Sequence, residues 1–187
     1  MSDLTHTMPW PGEDVGASEP LLTREWLVTN GLGGYASGTV SGVITRGFHG
    51  YLVAALPSPF GRVMMFNDLV EKLELPNGSE VQLGGEERAG SQVQLHGADF
   101  LSEFRLDMGL PVWRYQAGGI TLEKRLMMPR GQNTVYLTYR ILQGDGTVKL
   151  SLRPSIHFRP HNAPVTEHFD TSYTLSVLDA DRYEISA

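Results

Sequence analysis

"TNGLGGYASGTVSG", Thr29 to Gly42, decides between two folds. It contains G-L-G-G-Y-A, which satisfies the written form of the dinucleotide-binding fingerprint G-x-G-x-x-A, a feature of parallel α/β sheets. That chemistry needs a strand before the glycines, a helix whose N-terminal amides face the pyrophosphate, and an acid about 20 residues later. "REWLVT", Arg24 to Thr29, supplies the strand. The helix is missing, because the glycines run on into "SGTVSGVITR", where Gly38 and Gly42 sit among Thr39, Val40, Val43, Ile44 and Thr45. Glycine and β-branched residues are poor helix formers. The acid is missing too, since the next strand, "YLVAAL", ends at Leu56 in "PSPFG" with no carboxylate. No nucleotide or other cofactor is expected, and the stretch reads as β structure.

The same reading extends outward. After "YLVAAL" come "GRVMMF", "LVEKLEL", the turn "PNGS" (Pro76 to Ser79) and "EVQLGG", a meander whose Asn-Gly pair is a strong hairpin signal. "VWRYQ" and "ITLEKRLMM" flank "AGG", "NTVYLTYRIL" and "TVKLSLRPSIHF" flank "QGDG", and "SYTLSVLD" leads to "RYEIS". In "TVYLTYRIL", period 2 puts Val135, Leu137, Tyr139 and Ile141 on one face. About a dozen short strands without crossover helices predict an all-β, antiparallel two-sheet sandwich with little or no helix. "GGEERAGSQVQLHG" and "FRPHNAPVTEHFD" are long enough to be functional loops or interface segments.

At 187 residues the chain fits one domain with a substantial core. Residues 1–20 are rich in Pro, Gly and acids and are expected to be poorly ordered or peripheral, leaving 21–187 as the sandwich. A net charge of −6 and the absence of any basic block argue against nucleic acid and anionic membranes as partners. Residues 1–20 have neither the cationic head nor the apolar run of a signal peptide, so export by that route is not expected, and no apolar run approaches the roughly 20 residues of a membrane helix. With no cysteine in the chain, a cytoplasmic location is expected. The end at "RYEISA", directly after a strand, reads as a cut from a longer polypeptide.

Five glycines, at 31, 33, 34, 38 and 42, allow either a tight turn with a twisted strand or the close approach of another group to exposed backbone. "TRGFHGYL" then brings Arg46, Phe48 and His49 together, a set able to meet a hydroxyl-rich or carboxylate ligand, or a facing domain. His49 alone equally fits a hydrogen-bonded structural histidine. The candidate surface is Asn30, Gly31, Gly33, Gly34, Tyr35, Arg46, Phe48 and His49. His157, His161 and His168 lack metal-motif spacing, and no metal is assigned. Asp68, Glu71, Glu103 and Asp107 read as solvated strand or loop charges, and no catalytic pair is expected. Trp10, Trp26, Trp113 and Tyr115 suit either sugar stacking or the core.

"EWLVTNGLGGYASGTVSGVITRGFHGYLVAALPSPFGR" resembles the opening of the N-terminal domain of prokaryotic glycogen debranching enzymes of the amylo-α-1,6-glucosidase type. "LPVWRYQAGGITLEKRLMMPRGQNTVYLTYRIL" resembles that domain's later strands. The family pattern usually has tyrosine where this chain has Phe48. The resemblance implies a β-supersandwich preceding an (α/α)6 barrel in the same polypeptide, with the catalytic carboxylates on the barrel. That barrel is the expected partner, and α-glucan a further one. An independent α-glucan-binding module and a stand-alone structural sandwich are the alternatives.

Overall fold

Period-2 alternation becomes strand along most of the chain. The computed structural model describes residues 5–7, 18–88, 92–165 and 172–187, and 56% of these are strand. In chain order the elements begin with β1 (Thr5–Thr7), the six-residue helix α1 (Ser18–Thr23), β2 (Glu25–Thr29), β3 (Tyr35–Thr39), β4 (Gly50–Ala55) and β5 (Arg62–Phe66). They continue with β6 (Asp68–Glu74), β7 (Glu80–Leu83), β8 (Glu86–Arg88), β9 (Gln92–Gln94), β10 (Leu101–Asp107) and β11 (Leu110–Ala117). The last are β12 (Ile120–Met127), β13 (Tyr136–Gln143), β14 (Lys149–Ser155), β15 (Arg159–Pro160), β16 (Thr174–Asp179) and β17 (Arg182–Ser186).

These strands form two five-stranded sheets, β1-β10-β11-β12-β13 and β15-β5-β4-β3-β2, a three-stranded sheet β14-β6-β7, and the hairpins β8-β9 and β16-β17. Every pairing is antiparallel and no sheet closes, as expected of a sandwich. The sandwich is more divided than two large sheets. At Asn67, between β5 and β6, the backbone passes from one sheet into another, and its N–H turns to Ser155 C=O at 3.1 Å. "QGDG" is likewise a corner and not a hairpin, because β13 and β14 belong to different sheets. "PNGS" is the predicted turn: Leu75 N–H bonds Ser79 C=O at 2.8 Å, and Gly78 takes φ +80°. Of residues 1–20, the exposed β1 and the start of α1 are described, and the rest, Trp10 included, lie outside the described residues.

One core joins the first sheet to the other two. Trp26 meets Trp113 edge to face at 5.4 Å, with Phe104 edge-on against Trp113 and Tyr51 tilted against Trp26. Both indoles keep their polar handle satisfied as they are buried: Trp26 Nε1–H donates to Thr39 C=O at 3.0 Å and Trp113 Nε1–H to Val40 C=O at 2.9 Å. These rings therefore fill the core and do not present a sugar platform. Val135, Leu137 and Tyr139 of the β13 run pack on the same cluster.

A charge pair sits inside this apolar cluster. Lys124 of β12 and Glu71 of β6 are both almost wholly buried, with Nζ 2.7 Å from Oε2. Lys124 Nζ also donates to Tyr51 Oη at 3.0 Å and lies 5.0 and 5.1 Å from the ring centres of Tyr51 and Trp113. The Tyr139 hydroxyl donates to the other Glu71 oxygen. Burial alone would pull the Lys124 ammonium down, but Glu71 and the surrounding tyrosines hold it well above its ordinary value. Burial likewise pushes the Tyr51 phenol up to about 12. Glu71 is thus not the solvated charge expected from sequence, and Asp68 beside it is raised, chiefly by burial.

Removing one partner leaves the other charged and dry. Lys124→Met should lower the unfolding free energy by about 3–5 kcal/mol, whereas Lys124→Met combined with Glu71→Leu should cost clearly less than the two single changes summed. Urea denaturation of the three variants measures both.

Candidate functional site

The glycine-rich stretch is a loop between β2 and β3 that folds around Asn30. The fully buried Asn30 side chain accepts the N–H groups of Leu32 and Gly34 at 2.9 and 3.0 Å. Its amide group donates to Gln132 C=O at 2.9 Å and to Asn133 Oδ1 at 3.0 Å. Every hydrogen-bonding site of this amide is used within the fold. Asn133 in turn bonds both the N–H and the C=O of Ala55, at 3.0 and 2.7 Å. Gly31 and Gly33 take φ of +77° and +97°, the left-handed region that glycine enters freely. At Gly34 a Cβ would lie 2.6 Å from Asn30 Nδ2, 2.9 Å from Asn133 Oδ1 and 3.0 Å from Val53 O. The groups that approach these glycines thus belong to the chain itself.

The remaining candidates gather on the outer face of β2 and β3. The loop after Val43 turns back at His49, whose N–H bonds Arg46 C=O at 3.0 Å. It is held from beneath by the Tyr35 hydroxyl, which donates to Phe48 C=O at 3.3 Å, and from the side by Arg159. That guanidinium donates to Gly47 C=O and, at 3.0 Å, to Ala163 C=O. The clamp leaves Phe48 45% exposed. Leu27, Thr29, Gly33, Gly34, Phe48 and His49 help to line a groove of about 480 Å³, with Glu25 and Arg62 at its rim.

Charge along this rim is largely internal. Arg46 Nε lies 2.5 Å from Glu25 Oε1, and its guanidinium stands 5.9 Å from the centre of the Phe48 ring. Arg62 Nε donates to Gly33 C=O at 2.7 Å. His49 differs from its neighbours. It is 1% exposed, Nε2 is 3.5 Å from Glu25 Oε1, and neither ring nitrogen has a hydrogen bond among the described residues. Burial, aided by Arg46 and opposed by Glu25, pushes the imidazole below its ordinary value of 6.5, so the ring is neutral at pH 7.

The structure therefore separates the candidates. Asn30, Gly31 and Gly34 build the loop; Gly33, Gly34, Tyr35, Phe48 and His49 line the groove, and Arg46 stands beside it on Glu25. No group of three or more His, Asp or Glu able to hold a metal ion occurs among the described residues, and His168 lies outside them. Glu103 and Asp107 belong to a ladder across β10, β11 and β12, where Arg105, Arg114 and Arg125 lie 2.7 to 2.8 Å from a carboxylate.

Two outcomes test this geometry. Gly34→Ala should cost about 1–3 kcal/mol by overpacking, while Gly61→Ala, with nothing within 4 Å of its Cβ, strains only the backbone. For His49 the folded chain binds a proton less readily than the unfolded one. Stability should therefore fall as the pH drops below 6.5, and the wild-type chain should lose stability relative to His49→Phe over that range. Thermal melts between pH 8 and 5 measure it.

Comparison with known proteins adds one finding. No curated protein and no solved structure matches the chain. The family described as "Glycogen debranching enzyme N terminal" matches residues 24–186, from just before β2 to the end of β17. All the strands of the sandwich except β1, with the glycine-rich loop and the groove, lie within that match, and the chain belongs to this family of glycogen debranching enzyme N-terminal domains.

Proposed function

We propose that the chain is the non-catalytic N-terminal domain of a glycogen debranching enzyme. It supports a glycoside hydrolase barrel of the same polypeptide that cleaves α-1,6-glucosidic branch points. The family match over 24–186 carries this reading. The chemistry of the groove supports it. Hydrolysis of a glycosidic bond calls for two carboxyl groups about 5 to 9 Å apart on either side of the sugar. Among the residues lining the groove Glu25 is the single carboxylate, and Arg46 engages it. Glu71, the most deeply buried of the described carboxylates, is committed to Lys124 inside the core.

A supporting domain needs apolar surface to offer, and the β16–β17 hairpin carries it in Leu175, Val177 and Tyr183, each more than 60% exposed. The reading includes a cytoplasmic setting, in keeping with a chain that has no cysteine.

The test uses the full-length enzyme, its barrel alone and this chain alone, all acting on a branched limit dextrin. This chain should release no glucose, and adding it to the barrel should raise the barrel's activity or its melting temperature. Release of glucose by this chain at the full-length rate would overturn the division of labour. Arg46→Ala removes an ion pair whose Arg side chain is 54% exposed, worth at most about 1 kcal/mol. The chain should keep its melting temperature while the full-length enzyme loses kcat/KM.

A further inference from the structure

Three connections meet at one end of the sandwich: 30–34 between β2 and β3, 56–61 between β4 and β5, and 128–135 between β12 and β13. Asn133 ties them together, accepting from Asn30 Nδ2 at 3.0 Å and bonding both backbone groups of Ala55. The Gly131 N–H adds a bond to Asn30 C=O at 2.7 Å. Loops joined in this way are already ordered, so a partner that meets them is spared the entropy of fixing them.

What they display is apolar and cationic. Leu32, between two glycines in the left-handed conformation, is 53% exposed, and Phe60 of "PSPFG" is 69% exposed. Single exposed apolar side chains are ordinary, but these two share their loops with two arginines. Arg62 gives its Nε–H to Gly33 C=O at 2.7 Å, and the Arg130 side chain lies 3.4 Å from where a Cβ on Gly31 would stand. Both arginines are exposed, and neither has a carboxylate partner among the described residues. None of the three connections contains Asp or Glu, although the chain as a whole carries a net charge of −6.

These features constrain the partner. Apolar tips beside unpaired arginines are complementary to a surface on which an apolar recess is bordered by carboxylates, and aromatic and Arg side chains are frequent anchors of protein interfaces. An anionic bilayer fits less well. The overall charge is negative, and two arginines fall short of the roughly four to eight basic residues of a lipid-reading cluster.

We propose that this end of the sandwich docks on a carboxylate-bordered apolar surface of the barrel in the same polypeptide, with Leu32 and Phe60 buried there and Arg62 and Arg130 paired to its acids. That the partner is the barrel rests on the proposed function; its acidic and apolar chemistry rests on the loops themselves.

A full-length enzyme carrying Arg62→Lys and Arg130→Lys tests it after treatment with a water-soluble carbodiimide, which joins amines directly to carboxylates. Mass spectrometry of the digest should find the substituted positions joined to Asp or Glu beyond residue 187. In this chain alone, Arg130→Glu combined with Phe60→Ser should leave the melting temperature unchanged. In the full-length enzyme the same pair should lower it by about 2–4 °C, and about 0.5 M NaCl should shrink the share due to Arg130→Glu. The proposal is overturned by cross-links that are absent or confined to residues 1–187, by a full-length enzyme whose melting is unaffected, or by an equal loss in this chain alone. It is overturned as well if the full-length enzyme binds vesicles of phosphatidylserine and phosphatidylcholine and Arg130→Glu abolishes that binding. Missing cross-links in an enzyme whose barrel is still assisted by this chain would remove the loops as the contact and leave the domain assignment standing.

Discussion

The rest of the structure is arranged around a charge pair that could not survive by itself. An ammonium and a carboxylate moved out of water lose several kcal/mol each, and the attraction between them repays this only when geometry and extra hydrogen bonds are good. Here Lys124 comes from the first sheet, Glu71 from the three-stranded sheet, and the Tyr51 hydroxyl from the second five-stranded sheet, so each sheet must be in place for the others' polar atoms to be met. Within its own sheet Lys124 stands opposite Trp113 on one side and Tyr139 on the other. A slip of one residue along β12 would turn Lys124 outward and bring Glu123 or Arg125 into the core. The pair therefore acts on specificity of register more than on net stability.

The glycine-rich loop follows a different economy. Its backbone is shaped by one amide side chain, Asn30, and its glycines serve left-handed conformations and the near contacts of Asn133 and Val53. That interior rigidity is what lets the opposite side of β2 and β3 stay open. With Asn30, Trp26 and Val28 committed inward, Leu27 and Thr29 are left to face the groove by the alternation of the strand.

Much of this was legible in the sequence, and what was missed had a readable signal. The absence of helix formers after Gly34 excluded a nucleotide fold, and "PNGS" located its turn. The groove residues Tyr35, Phe48 and His49 were marked because aromatic and polar types cluster around glycine. The buried pair escaped because charge was taken as a sign of solvent, yet period 2 in "LVEKLEL" already puts Glu71 between Leu69 and Leu73. In "ITLEKRLMM" the same period puts Lys124 between Leu122 and Leu126. What no local pattern could supply was that these two strands lie in different sheets facing one another, nor that Arg159 reaches Gly47 from more than a hundred residues away. Those are consequences of topology, which emerges only when the corners at Asn67 and "QGDG" are known.

The bond from Asn30 to Asn133 also orders events in time. The two residues are 103 positions apart, so a ribosome working at about 5–20 residues per second delivers the second roughly 5 to 20 seconds after the first. Throughout that interval β2 and β3 can pair as a hairpin, but the amide that organises the loop between them lacks half of its partners. The surface described above is therefore among the late features to mature on the nascent chain, and a translational pause before residue 133 would prolong a state in which the apolar faces of Trp26 and Val28 are open to chaperones.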